Sequence, residues 1–411
     1  MSAANDREFD VIIWGASGFT GRLVAEYLCE RYDAPSQLNW AMAGRSEEKL
    51  KEVREALGPS AKDIPILTGD SHNPDSLAAL VARTKVICTT VGPYAKYGSE
   101  LVAACVSNGT HYCDLAGEVQ WMRAMIDKHQ EEALASGARI VHTCGFDSIP
   151  SDIGVYYLQQ QAKERHGQYF SEIKYRVKAA KGGPSGGTIA SMLVAMDEAR
   201  ADRDVAKILV HPYSLNPEGE RTGPDRRDQQ GMVFDEDLQA WTAPFVMATV
   251  NTKVVRRSNA LMNYPYGRDF RYSESTLMGK GAAGWMKATG LTAGLGGFML
   301  AANVGPLRKL MNKTMLPQPG EGPNREEREN GFYNIKMVGK FNDGRVLFGK
   351  VTGDRDPGYG STSKMLAESA ICLAKDPVNG ATGFLTPSSA MGDHLLKRLV
   401  DNAGLTFELS D

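Results

Sequence analysis

The sequence lacks a C-x-x-C pair and any long block of one charge. Its six cysteines are scattered without a C-x-x-C pair, so we expect unpaired thiols in a reducing cytoplasm rather than disulfides or a metal site. A formal net charge of −2, with no run of Lys and Arg, argues against a nucleic-acid partner. The short polar stretch 1–8 indicates neither export nor organelle import. We therefore expect a cytoplasmic protein.

A membrane-spanning run is also missing. The segment that comes closest, residues 288–307, has twenty residues without a charge, but six of them are Gly or Pro. It can form an apolar lip that contacts a lipid-like substrate or a membrane surface. The alternative is a buried, glycine-rich helical hairpin. Because glycine is a poor helix former, the segment needs packing from another part of the chain.

The composition is that of a globular protein, with 42% hydrophobic and 23% charged residues, and 411 residues predict two or three domains. Up to residue 143, short apolar runs alternate with helical patterns. Strands are predicted at residues 9–14, 38–43, 64–67, 85–90, 111–115 and 139–143, and helices at 20–31, 47–57, 74–82, 99–108 and 119–136. This alternation predicts a doubly wound parallel sheet with strand order 3-2-1-4-5-6.

After Pro150 the pattern predicts a second, mixed α/β domain containing antiparallel strands. Helices are predicted at 151–163, 189–203 and 362–375, strands at 172–181, 245–255, 333–341 and 345–352, a glycine-rich turn at 182–188, and loops at 216–231 and 317–331. The pair Asp343-Gly344 is a strong hairpin signal between the last two strands. We expect a Rossmann domain at 1–150, a substrate domain at 151–361, and a helical segment at 362–411 that packs back on the first domain.

The first predicted strand runs directly into a glycine loop of the form G-x-x-G-x-x-G, and a helix follows. The loop consists of Gly15, Ala16, Ser17, Gly18, Phe19, Thr20 and Gly21. Gly15 permits the tight turn, Gly18 leaves room for a pyrophosphate, and Gly21 lets the helix pack closely on the sheet. Free N–H groups and the helix dipole favour phosphate at this position. The loop predicts a dinucleotide site, and a glycine turn that binds nothing is the alternative.

The end of the second strand indicates which dinucleotide is bound. An NAD-binding protein usually has an acid there for the ribose 2′-hydroxyl, whereas this chain has Arg45 and Ser46. Arg45 can stack on adenine and pair with a 2′-phosphate, and Ser46 can donate a hydrogen bond, although it can also be only a helix N-cap. Asp70 follows the third strand and can meet the adenine edge. These residues predict NADP(H).

The fourth strand ends where the nicotinamide half of a dinucleotide lies. The residues at this edge are Thr90, Val91, Gly92, Pro93 and Tyr94. Tyr94 is the candidate proton donor, and a packing role is its alternative. The loops 114–118 and 144–152 leave the same edge and are candidates for substrate contact, although Glu118 and Ser151 can also be helix caps. His111 and His142 fall in or beside strands, which favours core or supporting roles.

Four motifs together carry a family resemblance. They are the glycine loop with Arg45-Ser46, then residues 90–94, then Tyr112-Cys113-Asp114-Leu115-Ala116-Gly117-Glu118, then Gly145-Phe146-Asp147-Ser148-Ile149-Pro150-Ser151-Asp152. This set resembles the saccharopine dehydrogenase-like oxidoreductases, and within them the branch of the bacterial trans-acting enoyl reductases. The resemblance implies an NADP-binding Rossmann domain, a second α/β domain, and reduction of a carbon–carbon double bond on a carrier- or lipid-linked chain.

Three functional hypotheses remain open. The first is an NADPH-dependent reductase acting on an enoyl thioester of a lipid- or polyketide-type acyl chain, with the cofactor supplying the hydride. The second is an imine or carbonyl reductase of the saccharopine reductase kind. The third is a protein that binds NADP and associates with lipid without turnover. The expected partner is a small-molecule or carrier-linked acyl substrate, with peripheral membrane contact through 288–307 and a homo-oligomer as further expectations.

Overall fold

The computed structural model describes residues 7–183, 186–305, 307–308 and 322–410. The chain divides into two compact units, each assembled from two separate stretches. The first unit contains the chain up to Ile149 and Gly358–Gly404, and the second contains Pro150–Pro357 and the chain from Leu405 onwards. The first unit therefore contains most of the segment 362–411, which the sequence predicts to pack back on the first domain.

The strands are numbered along the chain. They are β1 Phe9–Trp14, β2 Trp40–Gly44, β3 Ile66–Thr68, β4 Thr84–Thr89, β5 His111–Cys113, β6 Arg139–Val141, β7 Glu172–Lys181, β8 Val233–Asp235, β9 Ala240–Ala243, β10 Arg271–Gly279, β11 Phe332–Lys340, β12 Val346–Gly353, β13 Gly383–Leu385 and β14 Leu405–Ser410. The α-helices are Phe19–Arg31, Glu47–Ala56, Pro74–Val81, Tyr94–Tyr97, Ser99–Ser107, Val119–Ser136, Ile149–His166, Gly186–Ala201, Arg203–Val210, Ala248–Leu261, Gly281–Ala302, Arg325–Glu329, Gly360–Lys375 and Pro387–Asp401.

The sheet of the first unit is parallel, with the order β13-β6-β5-β4-β1-β2-β3. The predicted order of the first six strands is confirmed, and β13 extends the sheet beside β6. β1 is buried along its whole length, as expected of a strand covered on both faces. The carboxyl ends of β1 and β4 lie at the same edge because the two strands pair in parallel. This edge carries the candidate site.

One helix from the end of the chain completes the first unit. Gly360–Lys375 packs against β1, β4 and β5 and against Phe19–Arg31. Its buried Glu368 accepts hydrogen bonds from Tyr27 at 2.6 Å and Tyr32 at 2.5 Å and pairs with Arg398 at 3.1 Å. A buried carboxylate is stable here because its oxygens are fully engaged.

The sheet of the second unit is mixed, with the order β14-β12-β11-β7-β10-β9-β8. β7 and β10 pair in parallel, and the remaining neighbours are antiparallel. The predicted hairpin joins β11 and β12, and Gly344 in its turn has a positive φ of 88°, which glycine adopts without strain. The mixed α/β expectation with antiparallel strands is confirmed.

The strand predicted at 245–255 is wrong, because this segment belongs to the helix Ala248–Leu261. Its β-branched valines suggested a strand, but tertiary contacts override that preference. Arg256 Nε lies 2.8 Å from Asp225 Oδ2, and Lys253 Nζ lies 3.9 Å from Asp228 Oδ2. Burial lowers the pKa of Lys253 to about 8. Lys253 and Arg256 are three residues apart, so they lie on the same face of the helix, where they meet Asp228 and Asp225 of the preceding loop.

Three smaller expectations also need adjustment. The helix predicted at 189–203 begins at Gly186 and is followed by Arg203–Val210, which Asp202 caps through the Asp204 N–H. The predicted turn at 182–188 therefore contains the start of a helix, and its residues 184–185 lie outside the described residues. The loop predicted at 317–331 contains the short helix Arg325–Glu329, and residues 317–321 also lie outside the described part.

Candidate functional site

The glycine loop is a tight turn between β1 and the helix Phe19–Arg31. Gly15 has a φ of +90°, and a Cβ on it would lie 2.5 Å from Val91 Cγ2. The Gly18 N–H donates to Gly15 O at 2.9 Å, which closes the turn. A Cβ on Gly21 would collide with Gly15 O and approach Ala16 Cα to 2.9 Å. Gly15 and Gly21 are therefore required by the fold itself.

Gly18 differs from the other two glycines because it is exposed. A Cβ there would meet Gly15 O at 3.3 Å and nothing else within 4 Å. Gly18 is also the N-cap of the helix Phe19–Arg31, which has neither a capping side chain nor an acid in its first described turn. The positive end of this helix is therefore open to an anion. These features fit a cradle for the pyrophosphate of a dinucleotide.

Arg45 stands exposed just beyond β2. Within the described part of the chain, its guanidinium has no hydrogen bond or ion pair, while the neighbouring Glu47 pairs with Lys51 at 2.6 Å. Ser46 caps the helix Glu47–Ala56 by accepting from the Lys49 N–H at 3.4 Å. Ser46 thus has the capping role. The guanidinium of Arg45, which has no partner in the described chain, has the charge and geometry to pair with a ribose 2′-phosphate.

Asp70 is also exposed and lies two residues beyond β3. Its Oδ1 accepts from the His72 N–H at 2.9 Å, and its own N–H donates to Ser76 Oγ at 3.3 Å. These contacts fix the loop and leave Oδ2 without a hydrogen bond in the described chain. A contact with adenine stays a prediction.

Tyr94 lies at the predicted edge, but its hydroxyl is engaged. It donates to Thr89 O at 3.4 Å and accepts from the Leu115 N–H at 3.1 Å, and its ring stacks on Trp121. Burial, followed by the charge of Asp114, raises the pKa of Tyr94 well above its usual value. This geometry favours the packing alternative over proton donation. Thr90, Val91, Gly92 and Pro93 connect β4 to Tyr94, and Thr90 Oγ1 contacts Gly15 O at 3.4 Å.

Glu118 is a helix cap, although not of the helix that it precedes. Its two carboxylate oxygens accept from the N–H groups of Tyr94 and Ala95, each at 2.8 Å. The helix capped is therefore Tyr94–Tyr97, whereas Val119–Ser136 receives no side-chain cap from Glu118. A fully buried Glu118 holds the turn after β4 in place.

Asp114 connects the ends of β5 and β6. Its carboxylate accepts from Tyr112 Oη at 2.9 Å, from the Ala116 N–H at 2.9 Å and from the Thr143 N–H at 3.1 Å, and it lies 2.7 Å from His142 Nδ1. These contacts join the residues that follow β5 to those that follow β6. The sequence located Asp114 in a candidate loop but gave no signal for this network.

His142, which contacts Asp114 in that network, is packed in the core among aromatic side chains. Its ring makes edge or tilted contacts with Tyr112, Trp121 and Phe384, with centroids 5.1–5.8 Å apart. Only 3% of the residue is exposed. This aromatic surround supports the predicted supporting role, because solvent and substrate have no access to the ring.

The loop after β6 contains Asp147, whose carboxylate, unlike those of Asp114 and Glu118, accepts no hydrogen bond from the described residues. Asp147 is half-buried, and among the described residues no hydrogen bond or ion pair reaches its side chain. Burial, followed by the charge of Asp114, raises the pKa of Asp147 to about 7. The next two candidates, Ser151 and Asp152, lie in the first turn of the helix Ile149–His166 rather than in the predicted loop. Both are buried in the second unit, where the Ser258 hydroxyl donates to Asp152.

The segment predicted as a lip or buried hairpin lies mainly in the single helix Gly281–Ala302. Only Gly284, Ala288 and Ala302 of this helix are buried, while Met286 is 60% and Leu300 71% exposed. The prediction that this segment is buried is therefore wrong for the described helix, since one long face of it is open. Pro306 lies outside the described residues. No described helix is long and apolar enough to cross a membrane.

Comparison with known proteins agrees with this geometry. A model of the saccharopine dehydrogenase NADP binding domain matches residues 11–141. A putative trans-acting enoyl reductase of Mycobacterium tuberculosis is 43% identical over 406 residues, which cover 96% of each chain. A trans-acting enoyl reductase of Mycobacterium bovis is 38% identical over 410 residues, which cover 97% of each chain.

Among solved structures, apo saccharopine dehydrogenase (L-Glu forming) of Saccharomyces cerevisiae is similar with a TM-score of 0.52. It is 12% identical, and the match covers 98% of this chain and 99% of that one, so this likeness concerns the fold alone. The glycine cradle, the parallel sheet and the matched domain define an NADP-dependent oxidoreductase of the Rossmann type. The chain belongs to the saccharopine dehydrogenase-like family, in the branch of the trans-acting enoyl reductases.

Proposed function

We propose that the protein reduces the carbon–carbon double bond of an enoyl thioester, on a lipid- or polyketide-type acyl chain held by a carrier. The similarity to trans-acting enoyl reductases along 96–97% of the chain carries this proposal. It favours enoyl reduction over the saccharopine-type imine reduction, because the saccharopine dehydrogenase structure is only 12% identical. It also disfavours a protein that binds NADP without turnover.

The first unit holds the cofactor in this proposal. The loop from Gly15 to Gly21 receives the pyrophosphate, Arg45 pairs with the 2′-phosphate, Asp70 meets the adenine, and the turn from Thr90 to Tyr94 lies beside the nicotinamide. Bound NADPH supplies the hydride. The chain itself supplies orientation, because Glu118 and Asp114 fix the loops at this edge through the hydrogen bonds described above.

The open face of Gly281–Ala302 offers a surface for the acyl chain. Its exposed apolar side chains include Trp285, Met286, Met299 and Leu300. The sequence has no Asp or Glu between Glu274 and Glu321. The described helix therefore has no carboxylate that would disfavour contact with an apolar chain or repel a phosphate-bearing carrier arm. We propose the acyl chain of the substrate as the occupant of this face, and contact with a membrane surface is the competing outcome.

A kinetic series tests both parts of the proposal. NADPH oxidation is measured with enoyl thioesters of increasing length, and each additional buried methylene is worth up to about 0.8 kcal/mol. Four more carbons then raise kcat/KM by roughly two orders of magnitude if the gain appears in the transition state. Absence of turnover with every enoyl thioester would refute the reductase assignment.

The double variant Met286→Ser/Leu300→Ser should flatten this length dependence without changing NADPH affinity. Val400→Ser, which alters an exposed apolar residue of the first unit, is the matched control and should retain the dependence. A rate that does not depend on length, together with loss of vesicle binding in the double variant, would assign the helix face to a membrane instead.

A further inference from the structure

The reduction of a carbon–carbon double bond needs a proton as well as a hydride, and Tyr94 is poorly suited to give it. Its hydroxyl hydrogen is directed to Thr89 O, and its oxygen already accepts from the Leu115 N–H. Glu118 and Asp114 are fully buried, and their carboxylates accept backbone N–H groups. Each of these groups holds the site together, so none is free to exchange a proton with substrate.

We propose that the carboxyl group of Asp147 donates this proton, an assignment that rests on the proposed enoyl reduction. Asp147 lies in the loop after β6, at the carboxyl edge where the nicotinamide half of a dinucleotide lies. It is the half-buried carboxylate of this edge that has no hydrogen-bond or ion-pair partner in the described chain. A carboxyl without a partner in the described chain is available to give its proton to a substrate.

The loop that carries Asp147 is held rigidly. The Cys144 N–H donates to Asp114 O at 2.7 Å, the Phe146 N–H donates to Thr362 Oγ1 at 3.0 Å, and the Ile149 N–H donates to Gly145 O at 2.8 Å. Thr143, directly before the loop, has a positive φ of 62°. A non-glycine residue in this region is strained, and such strain is maintained where the surroundings fix a functional loop.

The electrostatic surroundings keep Asp147 in the right protonation state. Asp114 at the end of β5 and Tyr94 after β4 are the ionisable groups that act on it among the described residues. Thr362, which holds the loop from the helix Gly360–Lys375, is uncharged. Because burial and the Asp114 carboxylate both disfavour a second negative charge, the pKa of Asp147 rises to about 7. An acid with a pKa near the working pH is suited to proton transfer.

Bound NADPH would supply a hydride, with its electron pair, to the β-carbon of the enoyl group. The π bond between the two carbons breaks, and its electron pair moves to the α-carbon and the thioester carbonyl. The O–H bond of Asp147 breaks, a C–H bond forms at the α-carbon, and the carboxyl becomes a carboxylate. Solvent then returns the proton to Asp147. Asp114 keeps its hydrogen bonds throughout.

The first experiment measures Asp147 directly. In protein labelled with ¹³C at the aspartate carboxyls, one signal should titrate near pH 7 and be missing from Asp147→Asn. Stability gives a second readout. Because the pKa of the folded state is raised, the carboxyl costs no stability below about pH 4 and its cost is complete above about pH 7. Asp147→Asn should therefore be more stable than the parent at pH 8 and equal to it near pH 4. A carboxyl that titrates near pH 4 would overturn the proposal.

The second experiment measures turnover of a short enoyl thioester. Asp147→Asn should lower kcat by about 100-fold and leave NADPH affinity unchanged. It should also remove the decline of kcat that we expect in the parent above about pH 7. Asp63→Asn, at an exposed aspartate of the first unit, is the control and should behave as the parent. A parent-like pH profile in Asp147→Asn would overturn the role of Asp147 alone. Absence of turnover in the parent would overturn the proposed function, and the proton-donor role with it.

Discussion

Gly15 and Gly21 in the loop after β1 and three glycines of the helix Gly281–Ala302 have opposite surroundings. In the loop, a Cβ on Gly15 or Gly21 would meet backbone or side-chain atoms at once. In the helix, a Cβ on Gly290, Gly294 or Gly297 would have no neighbour within 4 Å. The two loop glycines are therefore fixed by this chain's own packing. The three helix glycines, which cost helix stability, are not required by any described contact, and this leaves room for a molecule that approaches from outside.

The strongest way to test this comparison is Gly21→Ala. The added Cβ would collide with Gly15 O, so the helix Phe19–Arg31 must move from the sheet. We expect a loss of several kcal/mol, in the range of severe overpacking, measured by thermal and urea unfolding. Parent-like stability would show that the close approach of helix and strand is not needed.

Gly18→Val should separate binding from folding. Because Gly18 is exposed and a Cβ there meets only Gly15 O at 3.3 Å, the fold should survive. The side chain occupies the space of the pyrophosphate, so fluorescence titration should show no NADPH binding. If the variant still bound NADPH with the affinity of the parent, the loop would have only a structural role.

Arg45→Asp should reverse the preference for NADPH over NADH, with a smaller effect on cofactor binding than Gly18→Val. The parent is expected to bind NADPH at least about tenfold more tightly than NADH, because Arg45 is the cation that we propose for the 2′-phosphate. Tenfold corresponds to about 1.4 kcal/mol. A carboxylate there repels phosphate and accepts from a 2′-hydroxyl. Lys49→Asp, at another exposed position nearby, is the control for charge alone. Equal affinities of the parent for both cofactors would contradict the assignment.

Gly294→Ala should have the smallest effect, and it should raise the free energy of unfolding rather than lower it. With open space around it, alanine should stabilise the helix by about 0.5–1 kcal/mol, which differential scanning calorimetry can measure. NADPH affinity should not change. If the acyl chain lies against this face, kcat/KM for long enoyl thioesters should fall while that for short ones is retained. Destabilisation would mean that the helix is covered in solution.

The sequence predicted the first unit well because each step of the parallel sheet has a local signal. Short buried strands, Ser46 as an N-cap and the glycine loop can be recognised from residues a few positions apart. The network of Asp114 could not be predicted in this way, since His142 and Thr143 reach it only when β5 and β6 pair. Likewise, Ala248–Leu261 contains the valines typical of a strand, and its tertiary contacts, among them those of Arg256 with Asp225 and of Lys253 with Asp228, join residues far apart in the chain that no local pattern reveals.

The return of residues 358–404 to the first unit has a consequence for biosynthesis. The six strands β1–β6 leave the ribosome well before the helix that covers three of them and before β13, which protects β6. Roughly two hundred residues intervene, and at roughly 5–20 residues per second the unfinished sheet waits about 10–40 seconds. During that interval its apolar face and its β6 edge are exposed to other chains. The nascent protein is therefore a natural client for chaperones, and a fragment cut near residue 150 is expected to aggregate rather than bind NADPH.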